Sequence, residues 1–385
     1  MREYDYIIAG GGMAGLSLAY HFALSPLQSA RILIVDRERK LKNDRTWCYW
    51  TDRPHIYDSI SYHHWTHLKF IGGGIEKCIP LTPFRYQMIR GIDFYRKVED
   101  TLSRFPNIEH YYGEITDIHD THDGAIVAAD GREYKASFVF DGIFVPREFR
   151  VDEDRYHFLK QHFVGWEIEA EEDVFDPAAA TLFDFRTPQH GVMRFMYVLP
   201  FTPRRAIVEY TLFSYELLER EEYEAAIQDY IEKVLNISAY RRLDSEDGII
   251  PMTDQPFQRR VGDHILRIGT KGGMVKPSTG FAFHRTQRDS AAIIASLVRH
   301  GNPFNLPAAP ARYRLFDSLL LHILYRRGEL AEAVFARLFE RNPITRLLRF
   351  LDERGNLLEN LALMKTTRWR HFLRAFWKLK IRKEI

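Results

Sequence analysis

The amino-acid sequence predicts an α/β protein with three parts: a domain built on a parallel sheet, an α+β domain built on an antiparallel sheet, and a helical C-terminal region. A glycine-rich turn between a short apolar strand and a helix opens the chain. Strands that alternate apolar and polar residues occupy the middle, and from residue 311 onward the apolar spacing is helical. A chain of 385 residues has room for two or three domains.

These changes in pattern divide the chain. One helix of the second domain is expected over residues 219–235, and breaks in the helical region are expected near Gly328, Pro343 and Gly355, because proline and glycine interrupt helices. The predicted division is as follows: first domain, residues 1–70, 92–150 and 256–310; second domain, residues 71–91 and 151–255; helical region, residues 311–385.

The glycine-rich turn has the spacing of a dinucleotide-binding motif. An apolar strand over residues 6–9 leads into Gly10, Gly12 and Gly15, and a second strand ends at Asp36, 21 residues after the last glycine. In this pattern the glycines allow a tight turn, a close approach of backbone to pyrophosphate and close packing of helix on strand, while the acid binds a ribose hydroxyl. The helix N-terminus offers free N–H groups to phosphate.

The first domain is therefore expected to be Rossmann-like and to bind a dinucleotide. Because the motif stands at the start of the chain, with small residues at Ala14 and Ala19, it resembles the motif of two-domain enzymes that use FAD. A glycine-rich βαβ unit without a ligand is the alternative. Residues 269–281, a second glycine-rich segment, follow a short apolar strand and precede a helix, so we expect them in the same domain.

The cysteine and histidine content indicates neither a disulfide framework nor a metal site. Cys48 and Cys78 are too few for a framework, so we expect a reducing compartment. The N-terminus leads directly into the first strand, from which we expect no signal peptide. His63, His64 and His67 have a spacing that would permit a metal site, but no cysteine or acidic partner accompanies them, so no metal is expected.

Charge is distributed unevenly along the chain. The net charge of the whole chain is +2, whereas residues 312–385 contain 17 Lys and Arg against 8 Asp and Glu. In the tail from Thr367 to Lys383, apolar residues including Trp369 and Trp377 form one helical stripe flanked by basic residues. This pattern is typical of a helix that lies on an anionic membrane surface, so we predict a cytoplasmic protein peripherally associated with a membrane. A tail packed on the protein body is the alternative, and a nucleic-acid partner is not expected.

Several later segments carry a family resemblance. They are residues 44–50 (DRTWCYW), 199–211 (LPFTPRRAIVEYT), 248–252 (GIIPM) and 268–281 (IGTKGGMVKPSTGF), with a weaker segment at 350–361. Together with the first glycine motif, these segments resemble the lycopene cyclase family, and its bacterial lycopene β-cyclase branch in particular. The resemblance implies an isomerase that closes β-rings at the ends of lycopene without net redox change, with reduced FAD as cofactor and NAD(P)H as the reductant of the flavin.

The resemblance also implies a catalytic acid. The family usually has a second acidic residue where this chain has Tyr210, so we assign the chemistry to Glu209 alone. Alternation along the strand sets Ile207, Glu209 and Thr211 on one face, which we expect to look toward the flavin and the polyene. A carboxyl group in an apolar pocket keeps its proton because burial raises its pKa, as a proton donor to a double bond requires. A solvent-facing glutamate is the alternative.

A cofactor site and a substrate site follow from the same resemblance. Arg45 is expected to contact the flavin or a phosphate of the cofactor, and a surface ion pair is the alternative for this residue. Lys276 is expected to be a solvated charge. The cofactor-binding residues are expected to be Gly10, Gly12, Ala14, Gly15, Asp36, Arg37, Arg45, Gly269, Pro277, Thr279, Gly280 and Phe281. The residues expected to contact the substrate and stabilise a carbocation are Trp47, Trp50, Trp166, Tyr197, Tyr210 and Glu353.

Two other functions remain open on the same scaffold. A prenyl-lipid reductase related to geranylgeranyl reductases would consume NAD(P)H in every turnover. A non-catalytic isoprenoid-binding protein would purify without flavin. The absence of an acid in the Gly269–Thr270 pair, where flavin hydroxylases usually carry Gly-Asp, is evidence against a hydroxylase.

Overall fold

The computed structural model describes residues 2–367, and the described chain folds into three sheets with helices packed on them. The helices are α1 (Met13–Ala23), α2 (Gly91–Leu102), α3 (Arg220–Asp229), α4 (Phe283–His300), α5 (Ala311–Arg327), α6 (Ala331–Arg341), α7 (Ile344–Leu351) and α8 (Leu357–Thr366). The strands are β1 (Arg2–Ala9), β2 (Ile32–Asp36), β3 (Thr46–Thr51), β4 (His63–Trp65), β5 (His67–Gly72), β6 (Ile75–Pro80), β7 (Arg85–Arg90), β8 (Ile108–Tyr112), β9 (Ile115–Thr121), β10 (Gly124–Ala129), β11 (Arg132–Asp141), β12 (Phe158–Ala170), β13 (Ala179–Asp184), β14 (Met193–Pro200), β15 (Arg205–Ser214), β16 (Tyr240–Thr253), β17 (Arg260–Val261) and β18 (Ile265–Arg267).

The first sheet is the predicted parallel sheet. Its order is β17-β18-β11-β1-β2-β8, with β9 and β10 extending from β11, and the pairs β18–β11, β11–β1, β1–β2 and β2–β8 are parallel. Because side chains alternate along a strand, Ile8 and Ile34 face helices α1, α2 and α4, whereas Ile7 and Val35 face the β9–β10 hairpin. The central strands are buried on both faces, as their uninterrupted apolar sequence predicts.

The second sheet is mainly antiparallel, as predicted for the middle of the chain. Its order is β16-β12-β15-β14-β13-β5-β6. Helix α3 packs on one face and helices α5 to α8 cover the other. Strand β5 pairs in parallel with β13, so the predicted domain boundary between residues 70 and 71 falls inside this strand. The predicted helix over 219–235 is an α-helix to Asp229 and then a π-helical turn over Tyr230–Val234.

A small third sheet, β3-β7-β4, joins the two large ones. The two faces of β3 belong to different cores. Trp47 and Tyr49 pack into the core of the first domain, against Phe283 on α4. Trp50 packs into the core of the second sheet, against Tyr86 on β7. Strand β3 therefore packs into both cores at once, through aromatic residues on its two faces, and holds the first domain against the second sheet.

The helical region breaks at the predicted residues. Helix α5 ends before Gly328, Pro343 precedes α7, and Gly355 lies between α7 and α8. None of the helices within residues 2–367 is both long and apolar enough to cross a bilayer. The predicted amphipathic tail, apart from Thr367, lies outside the described residues.

The prediction that Lys276 is a solvated charge is wrong. Its side chain is buried, and its Nζ lies 2.7 Å from Asp317 on α5 and 3.2 Å from Glu353 after α7. Ser278 donates a second hydrogen bond to Asp317, at 2.6 Å. Two acids from the helical region neutralise the lysine, so this ion cluster ties that region to the glycine-rich segment of the first domain.

Lys276→Met should therefore destabilise the protein strongly. The change leaves the buried Asp317 carboxylate without its cation, although Glu353 keeps Arg285, and in comparable buried pairs such a loss costs about 3–5 kcal/mol. Urea unfolding followed by circular dichroism measures the loss. Lys233→Met, which removes an exposed lysine paired with Asp229 on the π-helical turn, is the matched control and should change the free energy of unfolding by less than about 1 kcal/mol. Equal effects of both changes would contradict a structural ion cluster.

Candidate functional site

The first glycine-rich turn, residues 10–15, forms an open loop at the start of α1, which we call the cradle. Gly10 has φ of 102°, and its N–H donates to the Val35 carbonyl at 2.8 Å. A Cβ at Gly15 would lie 1.9 Å from the carbonyl oxygen of Gly10, whereas a Cβ at Gly12 would meet nothing within 4 Å. Gly12 is also the N-cap of α1 and has no side chain to cap the helix. The first N–H groups of α1 therefore have no side-chain cap, and uncapped N–H groups at a helix start commonly bind phosphate.

Asp36 lies beside this cradle. One of its carboxylate oxygens accepts from the Gly11 N–H at 2.5 Å, and the other accepts from Lys40 Nζ at 3.1 Å. A cleft lined by Gly11, Asp36, Lys40 and Tyr112 opens next to it. Arg37 points to solvent, with its side chain 82% exposed and its only charged contact within 4 Å among the described residues a neighbouring glutamate. The structure thus brings Asp36, but not the Arg37 side chain, to the cradle.

The second glycine-rich segment meets α1. A Cβ at Gly269, where φ is 59°, would lie 2.7 Å from Cβ of Ala14. Gly280 has φ of 71°, and a Cβ there would collide with Gln161 on β12. The buried hydroxyl of Thr279 has no hydrogen-bond partner within residues 2–367. The turn over Pro277–Gly280 therefore offers an unpartnered polar atom, and Gly269, earlier in the same segment, packs closely on α1.

Arg45 lies at the surface end of β3. Its guanidinium donates to the Asp44 carbonyl at 2.7 Å, and its own carbonyl accepts from Gly91 N–H at the start of α2. It forms no ion pair within 4 Å among the described residues, so the predicted alternative of a surface ion pair is not seen. Its protein contacts give no evidence on the predicted contact with the cofactor.

Glu209 lies in a row of four residues that crosses the second sheet. In register, Glu209 on β15 stands opposite Gly165 on β12 and opposite Tyr197 on β14, while Gly165 also stands opposite Glu246 on β16. Residues directly opposite each other on neighbouring strands share a face. Gly165 has no side chain, and the space above it lies between the two glutamates: its Cβ would lie 3.4 Å from Glu209 Cβ and 3.5 Å from Glu246 Cγ.

The surroundings of Glu209 favour its protonated form. The residue is 7% exposed, and burial raises the pKa of its carboxyl to about 8, with the nearby Glu246 carboxylate adding to the shift. The Thr211 hydroxyl donates to Glu209 and opposes the shift only in part. Burial also raises the pKa of Glu246, while a 2.7 Å hydrogen bond from the Thr46 hydroxyl opposes that shift. At neutral pH the pair therefore includes a carboxylic acid.

Aromatic and thiol groups stand over this row. The hydroxyls of Tyr197 and Tyr86 lie 2.5 Å apart, and burial raises the pKa of Cys48, which contacts both, to about 12. Trp50 stacks on Tyr86 with ring centroids 6.2 Å apart and meets the edge of Phe281 at 4.8 Å. Of the predicted substrate residues, Trp50 and Tyr197 thus lie on the same side of the sheet as Glu209.

A cavity extends from this cluster toward the helical region. Its walls include Cys48, Trp50 and Phe281 as well as Lys276 and Asp352. The cavity therefore links the aromatic cluster to the ion cluster of Lys276.

The other predicted substrate residues lie elsewhere. Trp166 and Tyr210 point to the opposite face of the second sheet and pack with α3. They are sequence neighbours of Gly165 and Glu209, so the strand pleat directs them away from Glu209. Trp47 packs into the first domain core, and Glu353 belongs to the ion cluster, where burial raises the pKa of its carboxyl but the charges of Lys276 and Arg285 lower it below its ordinary value. The structure does not bring these four residues together with Glu209.

Comparison with known proteins decides the family. The family model described as "Lycopene cyclase protein" matches residues 5–376.

The chain belongs to the lycopene cyclase family.

Curated relatives agree with this assignment. A chloroplast lycopene beta cyclase of Arabidopsis thaliana is 24% identical over 318 residues, which are 78% of this chain and 61% of that protein. A capsanthin/capsorubin synthase of Citrus sinensis is 25% identical over 313 residues, 77% of this chain and 60% of that protein. This chain therefore aligns with less than two thirds of the length of these relatives.

Solved structures share the fold across nearly the whole chain. A geranylgeranyl bacteriochlorophyll reductase-like protein of Thermoplasma acidophilum covers 98% of this chain and is itself covered completely, with a TM-score of 0.61 and 12% identity. A flavin-dependent brominase covers 98% of each chain, with a TM-score of 0.59 and 16% identity. The predicted fold class, a Rossmann-like domain with a sheet domain and C-terminal helices, is confirmed.

Three side chains of this site were not predicted as site residues from the sequence: Glu246, Cys48 and Tyr86. Strand alternation could have placed Cys48 with Trp50, since both lie in the DRTWCYW segment two residues apart. Glu246 lies on β16, an edge strand with a mostly polar sequence that carries little strand signal.

Two of the three histidines considered for a metal site, His63 and His67, have hydrogen-bonding partners in the protein. His63 Nε2 lies 2.8 Å from the Pro177 carbonyl, and His67 Nδ1 lies 3.0 Å from the Thr66 hydroxyl. Within residues 2–367, no group of three or more His, Cys, Asp or Glu side chains is arranged to hold a metal ion.

The raised pKa of Glu209 predicts a pH-dependent stability. The folded protein holds a proton up to about pH 8, whereas the unfolded chain releases it near the ordinary pKa of 4.5. The stabilisation is fully present below the unfolded pKa and is lost as pH rises through the folded pKa, at about 1.4 kcal/mol per pH unit between them. Glu209→Gln has no such proton, so the variant should gain stability relative to the parent as pH rises from 5 to 8.

Thermal unfolding of both proteins at pH 5, 6, 7 and 8 measures this difference. Glu114→Gln, which changes an exposed glutamate beside the β9–β10 hairpin, is the control and should follow the parent at every pH. A difference between parent and Glu209→Gln that is constant over the range would mean that Glu209 is ionised throughout.

Proposed function

We propose that this protein is a lycopene β-cyclase, which converts the acyclic ends of lycopene to β-rings in a redox-neutral isomerisation. Membership of the lycopene cyclase family supports a carotenoid substrate. The observation that carries the chemical proposal is Glu209, a buried carboxyl whose pKa is raised to about 8 on a sheet face covered by aromatic rings. At neutral pH such a group can give a proton to a carbon–carbon double bond.

The proposed reaction needs an acid, a dry site and a base. Glu209 donates its proton to the terminal double bond, which leaves a tertiary carbocation. The next double bond along the chain attacks that carbon and closes a six-membered ring, and loss of a proton from the ring completes the reaction. One proton enters and one leaves at each end, so the product has the mass of the substrate.

Aromatic side chains stabilise the cation in this proposal. Tyr86 and Trp50 are buried, Tyr197 is partly buried, and all three lie on the Glu209 side of the second sheet. Their ring faces carry negative electrostatic potential, which attracts a cation more strongly where water is excluded. Phe281, at the edge of Trp50, extends this surface toward the cavity.

FAD is the proposed cofactor, and the residues present fit it. The open Cβ position at Gly12 and the uncapped start of α1 suit the pyrophosphate, and Asp36 suits a ribose hydroxyl. The unpartnered Thr279 hydroxyl suits a polar group of the cofactor. In its reduced state the bound flavin would supply negative charge near the carbocation. NAD(P)H is proposed solely as the reductant of the flavin, because ring closure consumes no electrons.

The substrate also suggests where the protein acts. Lycopene is a hydrocarbon that dissolves in bilayers, so a cytoplasmic enzyme that docks peripherally on a membrane would reach it. The basic amphipathic tail proposed to make this contact lies beyond residue 367, outside the described residues.

Pigment analysis tests the proposal. The parent, expressed in a bacterial host that accumulates lycopene, should convert it to ringed products of unchanged mass. Glu209→Gln keeps the shape of the side chain but removes its acidic proton, so ring formation should fall by about 10²-fold or more. Thermal unfolding and flavin content of both proteins are the controls.

Other pigment outcomes identify the alternatives. Products two hydrogens heavier than lycopene, with NAD(P)H consumed in each turnover, would indicate a prenyl-lipid reductase, the function class named for the Thermoplasma protein of the same fold. Unchanged lycopene with a folded parent that lacks flavin would indicate a non-catalytic isoprenoid-binding protein.

Glycine substitutions test the proposed FAD site. A Cβ at Gly12 meets no protein atom within 4 Å, and its φ of −79° suits alanine, so Gly12→Ala should leave the thermal stability of the apoprotein unchanged. The new methyl group would occupy space proposed for the pyrophosphate, so flavin content after purification should fall at least tenfold, a loss of about 1.4 kcal/mol or more.

Gly15→Ala is the matched comparison for this test. Its Cβ would collide with the Gly10 carbonyl, so both folding and flavin content should suffer. Full flavin content in a folded Gly12→Ala protein would contradict the proposed site.

A further inference from the structure

Glu246 is the second carboxyl group on the face that carries Glu209. It lies on β16, the edge strand of the second sheet, and its register places it opposite Gly165. Gly165 is in turn opposite Glu209, so a single glycine separates the two acids across three strands. Any larger residue at this position would stand between the carboxyl groups, since a Cβ alone already comes within 3.5 Å of Glu209 Cγ and Glu246 Cγ.

The surroundings of Glu246 do not explain it as a structural ion pair. No Lys, Arg or His nitrogen within residues 2–367 lies within 4.0 Å of its carboxylate, which accepts a hydrogen bond from the neutral hydroxyl of Thr46. Its carboxyl group is influenced electrostatically by Arg45, Asp244 and Glu167, and burial raises its pKa. Packing of a partly buried carboxyl toward a second acid costs free energy, so a role in chemistry is the simpler explanation.

The two acids have different surroundings. Glu209 is 7% exposed and is the more enclosed of the pair, whereas Glu246 lies at the sheet edge and is only partly buried. The acid in the more apolar place holds its proton more tightly, and the acid nearer to water and to the Arg45 charge ionises first. Pairs of carboxyls whose environments separate their ionisation commonly divide the roles of acid and base.

We propose that Glu246 is a second catalytic residue of the cyclisation, the base that accepts the proton lost from the newly closed ring. This proposal rests on the proposed function. The neutral Glu209 carboxyl protonates the terminal double bond and becomes a carboxylate. The Glu246 carboxylate then takes a proton from the ring carbon beside the cation, the electrons of that C–H bond form the ring double bond, and Glu246 becomes a neutral acid.

Proton balance is restored within the pair. After each ring closure Glu246 holds the proton that Glu209 gave up, so transfer of one proton from Glu246 to Glu209, directly or through water at the exposed sheet edge, returns both groups to their starting states. The position of the base also decides which ring hydrogen leaves, and hence where the ring double bond forms. Glu246 is therefore the residue that sets the ring type.

Glu246→Gln tests this role through its products. The variant keeps the side-chain shape but cannot accept a proton, so ring formation should slow by about tenfold or more. Because Glu209 still protonates the substrate, the rings that do form should lose their proton from other carbons, which appears as a shift from β-rings to isomers of the same mass. Chromatography of pigments from the lycopene-accumulating host separates these isomers.

Two further variants control this experiment. Asp247→Asn removes an exposed acid next to Glu246 on the same strand, which points to the opposite face and pairs with Arg220, and it should leave both rate and ring type unchanged. Glu246→Asp retains a carboxylate and should recover β-rings in part, which a purely structural role for Glu246 would not produce. Flavin content and thermal unfolding are measured for each variant. If Glu246→Gln does not fold, Thr46→Val, which removes the hydrogen bond to Glu246, should shift ring type in the same direction.

The outcomes separate this proposal from the proposed function. If the parent makes no ringed product, the cyclase function is wrong and Glu246 has no such role. If the parent makes β-rings and Glu246→Gln makes them at the parental rate and in the parental ratio, the cyclase function stands and the proposal for Glu246 is overturned. Slower turnover with an altered ring ratio supports it.

Discussion

Desolvation of one carboxyl group is the constraint on which the candidate site depends. Burial of Glu209 makes its ionised form costly, so the group keeps its proton at a pH where an exposed glutamate has lost it. The same dry surroundings strengthen the interaction of aromatic rings with a cation. The sheet, the helices that cover it and the aromatic cluster together keep water away from this one group.

The alternation of side chains along β3 connects this site to the proposed cofactor site. Trp47 and Tyr49 anchor one face of the strand in the first domain, while Cys48 and Trp50 present the other face to the row that contains Glu209. A shift of one residue in the pairing of β3 with β7 would exchange the two faces of β3. Trp47 and Tyr49 would then leave the core of the first domain, and Trp50 would leave the core of the second sheet. The position of Glu209 relative to the first domain thus depends on the register of a six-residue strand.

Local patterns account for what the sequence predicts well. The glycine spacing, the helix breaks and the face shared by Glu209 and Thr211 depend on residues close together in the chain, and the structure agrees with them. Pairing over long sequence separations accounts for the failures. Glu246 meets the site only through the pairing of β16 with β12, and Lys276 is buried only because helices from the end of the chain cover it. The orientation of Tyr210 could have been predicted from strand alternation, because adjacent residues point to opposite faces and Tyr210 therefore points away from the face of Glu209.

The most direct measurement is an infrared titration of the purified protein, with Glu209→Gln as the reference. A carboxylic acid has a carbonyl stretch that a carboxylate lacks, so the difference spectrum reports the proton on Glu209 itself. We predict that this band persists at pH 7, disappears with a midpoint near pH 8 and is absent from Glu209→Gln. Disappearance of the band near pH 4.5, the ordinary pKa of the group, would mean that Glu209 is ionised at neutral pH and would contradict its role as the proton donor.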